Sequence, residues 1–135
     1  MISTRQKAEI AYLKLELYAA EKGYIISVPK IEARYDRILD MDGKLLRVQV
    51  KYASGEAGRT SVKVNLSTNY NGERYFAGYT EDEIDALVVY LPKVDKLCLI
   101  PKEVWINKTE LALRIEPTKN GQKKKVISYK DYILD

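Results

Sequence analysis

The chain has 135 residues, 46% of them hydrophobic, enough for one domain with a packed core and too few for two. Its 23 basic and 19 acidic residues leave a formal charge of +4, a balance that admits a polyanionic partner. There is no histidine. That excludes nucleases of the histidine-metal type and hydrolases built on a Ser-His or Cys-His pair, and leaves acid–base work to Lys, Tyr and carboxylates.

The opening stretch, MISTRQKAEI, has no apolar signal core, and no later run approaches the roughly 20 apolar residues that cross a bilayer, so a cytoplasmic protein with no membrane association is expected. Ser3 with Gln6 three residues on is a capping box, which predicts a helix from Thr4 to Lys22 stopped by Gly23. The helix carries two apolar stripes. Ala8, Ala11, Tyr12, Leu15 and Ala19 form one; Ile10, Leu13 and Leu17 form a second, nearly opposite. A helix apolar on two sides needs a cover on both. One is its own sheet; the other is a loop of the same chain or a second subunit. Glu9 lies on the margin between the stripes.

Strands are expected at Tyr24–Val28, Tyr35–Asp40, Leu45–Tyr52 and Thr60–Ser67. SGEAG from Ser54 and TNYNGER from Thr68 read as loops. Ile84–Leu91 and Lys96–Pro101 are solidly apolar and read as buried core strands, joined by a turn near Pro92–Asp95. A helical turn at Pro101–Ile106, a last strand at Glu110–Glu116, the basic loop KNGQKKK and the tail SYKDYILD follow. The single cysteine, Cys98, lies in an apolar run and reads as a buried, inert thiol. One helix followed by many strands predicts a single α/β or α+β domain over residues 1–135.

The stretch RYDRILDMDGKLLRVQVKYA concentrates chemistry. With Asp42-Gly43 as a two-residue turn of the primed type, Met41 pairs with Lys44, and extending the ladder sets Asp36 opposite Gln49 with Lys51 diagonal to it. An acid, an amide oxygen and an ammonium then share one face. Phosphodiester hydrolysis uses a divalent cation to polarise the phosphate and acidify an attacking water. Hard cations such as Mg²⁺ take oxygen ligands, which Asp36 and Gln49 supply. Lys51 can neutralise charge developing on phosphorus or orient the water.

RYD…RVQVK resembles the half-motif of the PD-(D/E)XK nuclease superfamily, with Tyr35 at the proline position and Gln49 in place of the second acid. Three further stretches are similar to its branch of group I intron-type homing endonucleases and related small endonucleases. They are QKAEIAYLKLELYAAEKGY, DEIDALVVYLPKVDKLCLIPKE and RIEPTKNGQKKK, in the same order and over nearly the whole chain. The resemblance implies a restriction-endonuclease-like fold, a mixed β-sheet core with an N-terminal helix. It implies Asp36 as central metal ligand, Lys51 as catalytic lysine, Gln49 as a ligand through its side-chain oxygen, Val50 through its carbonyl, and Glu9 in the outer shell. Ala8 departs from the family's frequent glycine, and Gln49 removes a negative charge, which leaves open whether one or two metals bind.

The activity implied is Mg²⁺-dependent (or Mn²⁺-dependent) cleavage of double-stranded DNA, site-specific as in homing endonucleases. A branched-DNA resolvase and a non-catalytic DNA-binding module are the alternatives. Arg59, Lys63 and Ser67, on or beside the strand after the catalytic one, face outward toward a duplex, as do the basic residues Lys119, Lys123, Lys124 and Lys125. One site per chain against two strands of a duplex, with the second helix stripe, points to a homo-oligomer, a dimer or tetramer.

Overall fold

The computed structural model describes residues 1–56, 60–70, 73–75, 78–116 and 126–135. The first helix, α1, spans Thr4–Lys22, and its ends are those the capping signals predict. The Ser3 side chain accepts from the Gln6 N–H, the Gln6 side chain accepts from the Ser3 N–H, and Gly23 closes the helix at φ 78°. Strands β1 (Ile25–Ser27), β2 (Arg37–Met41) and β3 (Lys44–Tyr52) follow. Asp42 and Gly43 both have positive φ, 54° and 96°, as a primed turn demands, and Met41 faces Lys44. Next come β4 (Gly55–Glu56), β5 (Ser61–Asn65), β6 (Thr68–Tyr70), β7 (Glu73–Tyr75), β8 (Ala86–Leu91), β9 (Lys96–Pro101), the short helix α2 (Lys102–Trp105), β10 (Glu110–Arg114) and a 3₁₀ turn at Tyr129–Asp131.

A mixed five-stranded sheet, β1-β2-β3-β8-β9, forms the centre. Its one parallel pair is β3–β8, with Val50 beside Val88; the intervening chain supplies the long crossover that a parallel pair requires. Each face has its own core, which explains why β8 is buried along its whole length. On one side Ala11, Leu15 and Ala19 of α1 pack on Leu39, Val48, Val50, Ala86, Val88 and Tyr90. On the other, Leu87, Val89, Leu91 and Ile100 meet Val62, Val64, Leu111 and Leu113 from a second sheet of order β10-β5-β4. Cys98 is fully buried in this second core, its thiol pushed up to about 12 by desolvation, so it is the inert thiol expected.

Three segments depart from the expected outline. Gly55–Glu56, expected as loop, pairs with β5, because two backbone rungs to Val62 and Lys63 outweigh the turn-like composition. Thr68–Tyr70, also expected as loop, pairs antiparallel with Glu73–Tyr75, while the expected turn at Asn71-Gly72 lies outside the described residues. The tail is docked: Leu99 N–H donates to the Tyr132 carbonyl and Leu134 N–H to the Leu97 carbonyl, which covers the outer edge of β9. Among the described residues nothing covers the second stripe of α1 at its middle, where Leu13 and Leu17 stand 55% and 57% exposed. No helix among the described residues is long and apolar enough to cross a membrane.

Candidate active site

The β2–β3 ladder ends at Arg37–Val48, one residue before the Asp36–Gln49 rung that the turn register extrapolates. Asp36 is instead held from both sides of Gln49. Its N–H donates to the Val48 carbonyl at 2.8 Å, and its carboxylate accepts the Val50 N–H at 2.9 Å. A side chain thus takes the place of the next backbone rung. Since alternate residues of a strand turn their backbone groups to the same edge, the Val50 carbonyl also emerges on the β2 side, beyond the point where β2 has ended.

That gap opens a cleft of about 480 Å³ at the sheet edge. It is reached from both faces: Thr4, Lys7, Ala8 and Tyr12 enter from α1, and Lys51, Lys63 and Asn65 from the side of the second sheet. Asp36, Gln49 and Val50 form its floor. The trio predicted from the hairpin therefore does converge, through the end of a ladder rather than through a shared rung.

Burial sets the electrostatics. Desolvation raises the Asp36 carboxyl above the usual carboxylate range, against the Val50 N–H, Lys51, Arg37 and the Tyr12 hydroxyl, which all pull it down. Lys51 is lowered by desolvation, with Asp36 acting to restore it and Arg34 adding to the depression. Tyr12 is pushed up to about 12, first by burial and then by the Asp36 charge. An anion and a cation, each short of solvent, lean on one another at the cleft.

Glu9 lies exposed on α1 and does not line the cleft, although its charge still reaches Tyr12 one turn away. Lys63 lines it while pairing with Glu110 at 3.1 Å across β5–β10. Ser67 turns its hydroxyl onto Asn65 Oδ1 at 2.7 Å, so Asn65 rather than Ser67 reaches the cleft. Arg59, Lys119, Lys123, Lys124 and Lys125 lie outside the described residues.

A supporting layer was missed from sequence. Tyr12 counted there only as core stripe, yet its ring carries the Arg37 guanidinium at 4.2 Å, and Arg37 in turn reaches Glu16 at 3.6 Å. Tyr79 carries no sequence motif, yet Lys51 Nζ lies 5.3 Å from its ring centre and the Arg34 guanidinium 5.1 Å. The available signal was position: Arg34 and Arg37 flank Asp36, and Tyr12 follows Glu9 by one helical turn. Arg47, two residues before Gln49 on β3, is structural. It clamps Asp85 through Nε and Nη2 and caps the Glu81 and Asp82 carbonyls.

The donors available for a divalent ion are a carboxylate, an amide oxygen and a backbone carbonyl. All are hard oxygen ligands, and the desolvated Asp36 carboxylate is one that a cation would relieve; the residues fit a Mg²⁺-type ion that keeps several of its waters. Among the described residues no group of three His, Cys, Asp or Glu side chains forms a cage of the transition-metal kind.

The fold is thus a mixed sheet with a helix on one face and, where β2 ends, a charged cleft lined by Asp36, Gln49 and Lys51. The chain matches the family model of the PD-(D/E)XK endonucleases over residues 2–135, and it belongs to that family. Among solved structures it is similar to a bacterial homing endonuclease, I-Ssp6803I, with 26% identity and a TM-score of 0.75 over 98% of this chain and 89% of that one. No curated protein matches it at a significant level.

Proposed function

We propose that the protein is a divalent-metal-dependent endonuclease that hydrolyses phosphodiester bonds of double-stranded DNA at specific sites. The observation that carries this reading is the placing of the Asp36 carboxylate and the Lys51 ammonium, both short of solvent, on one open cleft. Asp36, the Gln49 amide oxygen and the Val50 carbonyl would hold Mg²⁺, or Mn²⁺ in its place, with Glu9 contributing from outside through water. The bound ion would supply charge to the scissile phosphate and lower the pKa of a nearby water. Lys51 brings a fixed positive charge to the phosphate oxygens as negative charge builds there. Tyr12 and the Val50 N–H hold the Asp36 carboxylate in one orientation.

Lys7 and Lys63 on the two walls of the cleft suit the backbone of a duplex, and the sequence offers Arg59, Ser67, Lys119, Lys123 and Lys124 as further DNA contacts. Site-specific cutting, rather than junction resolution, is favoured by the likeness to a homing endonuclease over nearly the full length. The exposed leucines of α1 support a homo-oligomer, which would place two sites on two strands.

Incubating the protein with a random-library duplex and Mg²⁺, then sequencing the ends, tests the activity and its specificity together. Asp36→Ala and Lys51→Ala should each lower cleavage by at least about a hundredfold while circular dichroism stays that of the parent. A normal rate in either variant would show that the site is misassigned. Full activity in EDTA would end the metal assignment.

A further inference from the structure

We infer that Tyr79 is a positioning residue for Lys51, its aromatic face fixing the ammonium at the mouth of the cleft. The inference rests on the proposal that Lys51 serves the reaction. Lys51 leaves β3 on the face that looks toward the second core, where a flexible four-carbon stem has many rotamers and a charged end has little water. The Tyr79 ring, 2% exposed, lies within 5.3 Å of Nζ, inside the range in which a cation is drawn to a ring face.

The ring is itself fixed from both chain directions. Gly78 precedes it at φ 77°, and a Cβ added there would lie 2.3 Å from the Lys108 carbonyl oxygen, so only glycine admits this approach. Thr80 follows it, with its N–H donating to Glu83 Oε1 at 2.9 Å and its carbonyl accepting the N–H groups of Glu83 and Ile84. Glu83 also pairs with Arg34, whose guanidinium shares the same ring at 5.1 Å. The turn that presents the ring thus also tethers the second cation, and Arg34 and Lys51 are kept to separate places on one aromatic surface.

A packing role and a positioning role make different predictions, and a ring series separates them. Tyr79→Phe keeps the electron-rich face and should cut DNA within about twofold of the parent rate. Pentafluorophenylalanine at position 79 keeps the shape but reverses the charge distribution of the ring, and kcat should fall roughly tenfold. KM for DNA and the Mg²⁺ midpoint should not move, because in a positioning role the ring acts through Lys51 alone. In a Lys51→Ala background the two ring variants should have equal residual rates. Equal kcat for Tyr79→Phe and the fluorinated ring, with Lys51→Ala inactive, would overturn the positioning role and leave the reading of the site intact. A normal rate for Lys51→Ala would overturn both.

Discussion

Desolvation at Asp36 has a consequence for stability that is separate from catalysis. Its folded carboxyl titrates above its unfolded value, so the unfolded chain ionises first as pH rises. Below both values the group contributes nothing to the difference; between them the folded state loses ground; above both the loss is constant. Asp36→Asn should therefore stabilise the fold in EDTA at pH 7 by on the order of 1 kcal/mol, the usual scale for relieving a strained functional site, and so raise the melting temperature. The gain should shrink toward zero near pH 3. Melting curves at the two pH values check this, and an equal gain at both would show that the cause is packing rather than charge. Gln49 offers a second residue-scale test. Gln49→Glu keeps the oxygen and adds charge, so cleavage should persist at lower Mg²⁺, whereas Gln49→Leu removes the donor and should raise the requirement. An unchanged midpoint for Gln49→Leu rules out the ligand role.

Between β3 and β8 the element of interest is the segment Glu81–Asp85, which Arg47 straps to the sheet. Arg47 N–H and Nε both donate to Asp85 Oδ2, at 2.8 and 3.1 Å, and the Asp85 N–H returns to the Arg47 carbonyl at 2.8 Å. The Arg47 hydrogen bond holds the Asp85 carboxyl below the usual carboxylate range. Its contribution to stability is then fully present above the unfolded value and lost as pH falls through the folded one. Asp85→Asn should cost about 1 kcal/mol at pH 7, a figure held down because both side chains are about a third exposed. The loss should disappear in strong acid, and denaturant titrations at neutral and acid pH read it directly. This clamp was not legible in the sequence, because alternation puts Arg47 on one face with Gln49 and Lys51 and says nothing of Asp85, 38 residues on. Local signals carried most elements: the capping box and Gly23 place both ends of α1, and Asp42-Gly43 sets the β2–β3 register. What they did not carry was the end of the ladder at Arg37, since that depends on a side-chain carboxylate displacing a backbone partner. Nor did they carry the aromatic supports, because a tyrosine that holds a cation and a tyrosine that fills a core have the same spacing.

At the scale of the whole molecule, α1 sits on the sheet with Ala11, Leu15 and Ala19 buried while Leu13 and Leu17 face outward, and Tyr18 contacts the chain end at Asp135. Two leucines one turn apart form a ridge that no other part of the described chain covers. A two-fold contact along this ridge would bring four leucines together. Burying the exposed half of each is worth roughly 3–6 kcal/mol in all, a factor of roughly 10² to 10⁴ in a dissociation constant. Such a contact lies on the far side of α1 from the sheet, so it leaves the cleft and its lining free for DNA. Light scattering of the native protein at micromolar concentration should give the mass of a dimer or tetramer. The double variant Leu13→Glu with Leu17→Glu should give monomers, since charge enters the ridge twice from each chain. Each monomer keeps its Asp36 and Lys51, so single-strand nicking of a supercoiled plasmid should continue, while paired cuts that linearise it should fall by at least about tenfold. A native protein that is monomeric with and without DNA would refute the assembly. A variant that dissociates yet linearises plasmid at the parent rate would show that the two strands are cut independently.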